Sequence, residues 1–281
     1  MKLISKLALG AGALVAVKGL DNRLEITHYE PKFDNLPPEF DGFRIAHISD
    51  LHSESTPGLV EEIAALKPDI IVITGDMIHD DFRSYEPVLA LIERLLAIAP
   101  VYMISGNHDL WNTKFTDFIR RACDDGAIFC DDRMSVISRN GAQIGLFGIR
   151  DPFGKSGEII RKSIDRSLRT LPEFDGFKCV LFHRANQFEH IRDFGFDLVL
   201  AGHMHGGQMR IPGVGGVISP KSSLGDPRSK MLFPTYCSGA FRHRNTMMIV
   251  NRGIGNPMLV PRLFNRPEIG IIVLRRSAKD A

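Results

Sequence analysis

The chain has 281 residues, of which 44% are hydrophobic and 24% are charged, proportions ordinary for a folded globular protein rather than a low-complexity chain. Residues 1–200 carry 23 Lys and Arg against 30 Asp and Glu, whereas residues 201–281 carry 12 against 3. The basic carboxyl-terminal part favours an anionic substrate or surface, although an ordinary solvated face fits it equally well. The four cysteines have no CxxC spacing, which excludes a zinc finger.

Residues 1–20 are predicted to be a hydrophobic leader or membrane anchor. Its uncharged stretch, Leu7 to Val17, has eleven residues, too few to cross a bilayer, which takes about 20. We predict an uncleaved anchor at the membrane surface, with a secretory signal or a packed terminal helix as alternatives. The protein is then expected to be peripheral and to face the cytoplasm, or to be secreted. Residues 21–281 are expected to form one domain.

Apolar runs alternate with segments of helical period along the rest of the chain, which predicts an α/β fold. Helices are predicted at Pro57–Leu66, Tyr85–Ile98, Lys114–Cys123, Glu158–Leu171 and Asn186–Phe194. Strands are predicted at Arg23–His28 (an edge strand), Phe43–Ile48, Asp69–Thr74, Val101–Ile104, Ala127–Phe129, Ser135–Ser138, Gln143–Ile149, Asp197–Leu200, Thr246–Val250 and Ile269–Leu274. From residue 206 the chain is rich in Gly and Pro, and its short strands are expected to form a second sheet packed on the first.

Seven potential metal ligands stand at the ends of apolar runs: Asp50 and His52 in ISDLH, Asp76 in TGD, Asn107 in SGNHD, His183 in LFH, and His203 and His205 in AGHMH. Because ligands gather at the carboxyl ends of parallel strands, we expect these side chains to meet at one edge. Two divalent ions need a bridging carboxylate, for which Asp76 is the candidate. Imidazole ligands suit Mn, Fe or Zn better than Mg or Ca.

Further candidates surround this set. His108 follows Asn107 and is expected to face another way, so we predict that it protonates the leaving oxygen. Asp109 is predicted to fix the His108 tautomer, with a helix cap as the alternative. Arg184 and His243 are the predicted substrate-binding residues. The remaining histidines are interpreted as structural: His28, His47, His79 and His190.

The motifs D-x-H, G-D, G-N-H-D, a lone His and G-H-x-H, in this order over about residues 41–205, resemble those of the calcineurin-like metallophosphoesterase superfamily. The resemblance implies a four-layer αββα sandwich with two mixed sheets and a dinuclear metal centre. It also implies one ion on Asp50, His52, Asp76 and His205 and the other on Asp76, Asn107, His183 and His203. GGQMRIPGVGG at 206–216, NRGIGNP at 251–257 and PRLFNRPEI at 261–269 resemble a bacterial membrane-associated branch of phosphodiesterases and UDP-2,3-diacylglucosamine pyrophosphohydrolases of lipid A synthesis.

These features predict a metal-dependent hydrolase of a phosphodiester or pyrophosphate bond in an anionic small molecule or lipid such as UDP-2,3-diacylglucosamine. The alternatives are a protein or small-molecule phosphomonoesterase and an inactive scaffold of the same fold. No nucleic-acid partner is expected, because the basic tail lacks interleaved aromatic residues. In that tail, Arg252, Arg262 and Arg266 flank Leu263 and Phe264. The mixture suits contact with anionic lipid, or simple packing beneath the second sheet.

Overall fold

The computed structural model describes residues 18–54, 56–79, 83–152, 157–218, 220, 230–257 and 260–277. The predicted leader therefore lies outside the described residues except for its last three. Within those ranges, none of the helices combines the length and the apolar character needed to cross a bilayer.

The α-helices are α1 Leu59–Leu66, α2 Glu86–Leu96, α3 Asn107–Trp111, α4 Phe115–Asp124, α5 Gly157–Thr170 and α6 Phe188–Ile191. The strands are β1 Glu25–Tyr29, β2 Lys32–Phe33, β3 Arg44–Ile48, β4 Ile70–Ile73, β5 Val101–Met103, β6 Ile128–Phe129, β7 Arg133–Arg139, β8 Ala142–Ile149, β9 Lys178–Arg184, β10 Leu198–Gly202, β11 Arg210–Ile211, β12 Gly215–Gly216, β13 Gly239–His243, β14 Thr246–Val250, β15 Glu268–Val273 and β16 Arg275–Arg276.

Two large mixed sheets form the centre of the molecule. The first has the order β1-β15-β3-β4-β5-β6, and the second has the order β13-β14-β10-β9-β8-β7. Within the first sheet β15 runs antiparallel to β3, and within the second β13 and β7 run antiparallel to their neighbours. The other pairs in both sheets are parallel. The carboxyl ends of β3 and β4 therefore lie side by side in the first sheet, and those of β9 and β10 lie side by side in the second.

Both faces of each sheet are covered, which explains why the strands are continuous apolar runs. In β4, Ile71 and Ile73 pack with helices α1, α2 and α4, whereas Ile70 and Val72 pack between the two sheets. On the far side of the second sheet, Phe182 packs with helices α5 and α6. Three apolar cores separate four layers, so the predicted four-layer αββα sandwich is confirmed.

The prediction for the carboxyl-terminal strands was wrong in one respect. Apart from the short antiparallel pair β11 and β12, they do not form a sheet of their own, because β15 lies between β1 and β3 of the first sheet while β14 extends the second sheet beside β10. The second sheet is built mainly from β7 to β10. The Asn186–Phe194 helix is also shorter than predicted, since a 3-10 turn at Ala185–Gln187 precedes α6.

Two of the three arginines singled out in the tail, Arg252 and Arg262, are buried and structural. Arg262 is 1% exposed and donates hydrogen bonds to the carbonyl oxygens of Arg252 and Gly255, at 3.0 and 2.6 Å. Arg252 is also buried and forms an ion pair with Glu268 at 3.2 Å. Neither cation is placed to meet a lipid surface, and packing, the alternative interpretation of the tail, accounts for both.

Candidate metal centre

Four side chains from three strand ends form the first ligand cluster. Asp50 and His52 follow β3, Asp76 follows β4 and His205 follows β10, and all are buried. The His52 Nε2 atom lies 3.8 Å from Asp76 Oδ2 and 3.2 Å from His205 Nε2. The His205 Nε2 atom lies 3.4 Å from Asp50 Oδ1. Converging imidazole nitrogens and carboxylate oxygens form a site that suits a divalent transition-metal ion.

The second cluster shares Asp76 with the first and adds His183 and His203. The His183 Nε2 atom is 3.3 Å from Asp76 Oδ2 and 3.2 Å from His203 Nδ1. The His183 Nδ1 atom donates to the Thr74 carbonyl oxygen at 2.7 Å, which turns Nε2 toward the carboxylate. Asp76 Oδ2 therefore faces both clusters, as a bridging carboxylate must.

Asn107 supplies the observation that tests whether metal ions fit. Its side chain is 1% exposed, yet neither its amide oxygen nor its amide nitrogen has a hydrogen-bond partner among the described residues. A buried amide without partners costs about 1–3 kcal/mol. A cation coordinated by the amide oxygen would offset part of that cost. The residues present thus fit two ions, one at each cluster.

The backbone at these positions is strained. Asp50, His52, Asp76, His203 and His205 all have φ between 47° and 73°, a left-handed conformation that costs a non-glycine residue about 1–3 kcal/mol. Such strain is concentrated at functional sites and persists only where the surrounding structure enforces it.

The glycines before the ligands are required by close approach of neighbouring chain segments. A Cβ atom on Gly106 would lie 2.2 Å from Asp76 Oδ1, and one on Gly202 would lie 1.9 Å from Ser49 Oγ. Directly after Gly202, the backbone nitrogen of His203 lies 3.2 and 3.1 Å from the two carboxylate oxygens of Asp50, to which its N–H donates. The second sheet is thereby fastened to the first at the site.

Burial and the shared carboxylate set the protonation of the metal-free site. Burial lowers the pKa of His183, but Asp76 beside it outweighs burial and raises that pKa to about 10. Burial lowers the pKa of His205 to about 4 and holds the pKa values of His52 and His203 well below the usual range. Most of the imidazoles are therefore neutral, the form that binds a metal, whereas a metal must displace the proton of His183.

His108 lies at the mouth of the site and is only partly buried. Its Nδ1 atom lies 3.2 Å from Nδ1 of His79, and its ring centroid lies 4.8 Å from that of His52. Asp109 does not orient it. The Asp109 carboxylate is fully buried and accepts hydrogen bonds from the backbone N–H groups of Ile78 and Gly106, both at 2.8 Å. The predicted tautomer-fixing role is thus wrong. Asp109 is the third residue of α3 and caps that helix from within, rather than the helix that follows it.

The two predicted substrate-binding residues differ in position. Arg184 lies beside His183, but it is 3% exposed and its guanidinium donates to both carboxylate oxygens of Asp151, each at 2.8 Å. His243 is not brought to the site at all. It ends β13 opposite Thr246, at the far end of the sheet from the metal ligands, and contacts Asp193 at 3.1 Å.

His79 is the residue that the sequence reasoning missed, because it was interpreted as structural. It stands three residues after Asp76 and forms a third cluster with His52 and His108. Its position in the loop that follows a ligand-bearing strand was the available signal. An isolated histidine there carries no motif, so only its contact with His108 reveals it.

The matching family model, calcineurin-like phosphoesterase, covers residues 43–207. The chain is 30% identical to the uncharacterized metallophosphoesterase YkuE of Bacillus subtilis, over 96% of this chain and 94% of the relative. It is 30% identical to the phosphodiesterase YaeI of Escherichia coli over 86% and 84% of the two chains. It is 24% identical to the UDP-2,3-diacylglucosamine pyrophosphatase LpxG of Chlamydia muridarum over 89% of each. The chain therefore belongs to the calcineurin-like phosphoesterase family, hydrolases of phosphoester and pyrophosphate bonds that use a dinuclear divalent metal centre.

Proposed function

We propose that this chain hydrolyses a phosphodiester or pyrophosphate bond in a lipid-linked or nucleotide-sugar substrate, of which UDP-2,3-diacylglucosamine is the model. The observation that carries the proposal is the shared carboxylate, since Asp76 Oδ2 lies 3.8 Å from His52 Nε2 and 3.3 Å from His183 Nε2. The names of two relatives, a phosphodiesterase and a UDP-2,3-diacylglucosamine pyrophosphatase, support the choice of bond.

When bound, the two ions would supply an activated water and neutralise charge on the phosphoryl oxygens. One ion would be held by Asp50, His52 and His205. The other ion would be held by His183, His203 and Asn107, and Asp76 would contact both ions. The amide of Asn107 adds no negative charge to the site, so the ions would stay electrophilic. His108, partly exposed at the mouth and contacted by His79, would give a proton to the leaving oxygen.

Activity profiling of the protein reconstituted with Mn, Fe or Zn tests this proposal. The substrates are bis(p-nitrophenyl) phosphate, p-nitrophenyl phosphate, nucleoside diphosphates and UDP-2,3-diacylglucosamine. We expect the diester and the pyrophosphates to be preferred over the monoester by kcat/KM. Preference for the monoester would instead support a phosphomonoesterase. Two bound metals without turnover of any substrate would support an inactive scaffold.

We further propose that the enzyme contacts anionic lipid through the hairpin formed by β11 and β12. Ile211 and Val214 in this hairpin are 45% and 67% exposed, and the hairpin begins five residues after the ligand His205. Lys18, Arg210 and Arg266 line the same cleft and outnumber its one acidic residue, Glu25. Each basic residue near an anionic surface contributes about 1 kcal/mol. An apolar tip flanked by cations could hold the active site close to a lipid-linked substrate.

Co-sedimentation with anionic and neutral vesicles tests this contact, using protein that starts at Lys18 so that the leader cannot contribute. We expect binding to the anionic vesicles that weakens with salt and is lost in the double variant Ile211→Ser with Val214→Ser. The matched control is Val136→Ser, a substitution at a valine on β7 that is 43% exposed. Equal binding by both variants would show that the hairpin is not the contact.

A further inference from the structure

The only tryptophan of the chain, Trp111, stands beside the predicted general acid. Its side chain is 46% exposed, and its ring centroid lies 5.0 Å from that of His108 with the planes inclined at 58°. A large apolar ring that remains exposed adds little to the stability of the folded chain. Its surface is available to a ligand.

The short helix α3 fixes where this ring lies. Asn107 begins the helix and Trp111 ends it four residues later, so both side chains project from the same helix face. Directly after the helix, the Asn112 side-chain amide donates to the carbonyl oxygen of His79. The helix is thereby tied to the loop that carries Asp76 and His79, with Trp111 at the outer side of His108.

We propose that Trp111 forms one wall of the leaving-group subsite and selects substrates whose leaving group carries a planar or apolar portion. The proposal rests on the acid role proposed for His108. A general acid must come within about 2.6–3.2 Å of the leaving oxygen. A ring whose centroid lies 5.0 Å from that of His108 is close enough to border a group that is bonded to that oxygen on the indole side. An aromatic or apolar group there would pack against the indole.

Steady-state kinetics of the metal-reconstituted enzyme test the assignment with two substrates that share one leaving group. Bis(p-nitrophenyl) phosphate and methyl p-nitrophenyl phosphate both release p-nitrophenolate but retain different groups. We expect Trp111→Ala to raise KM about 2- to 12-fold for both, the loss that one aromatic contact represents. Trp111→Phe should retain most of the affinity. Phe194→Ala, at a distant ring that is 49% exposed, should change nothing.

Two kinetic outcomes would overturn the proposal. An effect confined to the bis(p-nitrophenyl) ester would place the ring against the retained group. A lower kcat at unchanged KM, with a shifted pH profile, would mean that Trp111 only positions His108.

A binding measurement separates this proposal from the proposed function. Because the chain has a single tryptophan, its fluorescence reports on Trp111 alone. We expect p-nitrobenzylphosphonate, which cannot be hydrolysed, to quench it, and methylphosphonate to bind without quenching, with both affinities measured by calorimetry. Binding of p-nitrobenzylphosphonate without quenching, or failure of both phosphonates to bind the metal-loaded protein, would sink the leaving-group assignment. Quenching by a protein that turns over no substrate would sink only the proposed function.

Discussion

At the scale of single residues, the site depends on Asp76, whose carboxylate serves both clusters. We expect Asp76→Asn to lose both metals and His52→Ala to lose mainly one, because a neutral amide brings no negative charge to share between a pair of cations. Elemental analysis of the purified variants measures the metals per chain. Asp125→Asn, at the end of helix α4, is the control and should keep both. Two metals in Asp76→Asn would remove Asp76 from the bridge.

His108 is the residue whose role depends most on the substrate. We expect His108→Ala to keep its metals and to lose activity by about 10²–10⁴-fold on substrates with poor leaving groups. The loss should be smaller with p-nitrophenolate, which needs little protonation. His190→Ala, whose wild-type ring contacts Asp165 on helix α5, is the control and should be active. An equal loss for every leaving group would assign His108 to binding or to site structure.

At the scale of elements, the ligand loops at the strand ends are packed without room for an added methyl group. A Cβ atom on Gly106 would lie 2.4 Å from the backbone nitrogen of Asp76. Gly106→Ala must therefore push β4 and β5 apart beside the bridging residue Asp76. We expect a stability loss of about 1–3 kcal/mol in urea denaturation, together with reduced metal content.

Gly270→Ala is the matched control for this substitution. Gly270 lies in β15 with a negative φ, and an added Cβ atom would come no closer than 3.5 Å to its neighbours. We expect this variant to keep its metals and its stability. If Gly106→Ala also kept its metals and its stability, the close approach of Gly106 to Asp76 would not matter for the site.

At the scale of the whole molecule, the buried histidines make the metal-free protein sensitive to pH on both sides of about 6.5. Burial lowers the pKa of His47 to about 3 and that of His205 to about 4. Below about pH 6.5 the unfolded chain therefore binds more protons, and stability falls by about 1.4 kcal/mol per pH unit for each group. His183 acts in the opposite direction, since its raised pKa of about 10 contributes stability that is lost as pH rises from 6.5 to 10.

Urea denaturation in the presence of a chelator, at pH values from about 4.5 to 9, should therefore show a maximum of stability near pH 6.5. His47→Gln should reduce the slope of the unfolding free energy against pH on the acidic side by the contribution of one titrating group, about 1.4 kcal/mol per pH unit. His47 is suited to this test because it is buried but is not one of the predicted ligands. Stability that did not change between pH 6.5 and 4.5 would contradict the buried neutral histidines.

Much of the fold and of the ligand set could be predicted locally. Continuous apolar runs such as Ile70–Ile73 must be covered on both faces, which leads to stacked layers. Some of these runs end in a glycine followed by a ligand-type residue, as at Gly106 and Gly202. This pattern marks a strand end at which the chain comes close to another segment. The short helix α3 was missed because five residues carry too little periodicity.

Contacts between residues distant in the sequence decided the rest. The carboxyl-terminal strands separate between the two sheets. Strand β15 pairs with β1 and β3, whereas β14 pairs with β10 and β13, and no local pattern encodes these pairings. The capping role of Asp109, the contact of His79 with His108 and the burial of Arg262 depend on loops that meet only after the sheets have stacked. The sequence by itself determined which groups can bind two metal ions. The tertiary structure decided which neighbours orient those groups and which surfaces remain open to a substrate, because orientation and exposure depend on packing across the whole chain.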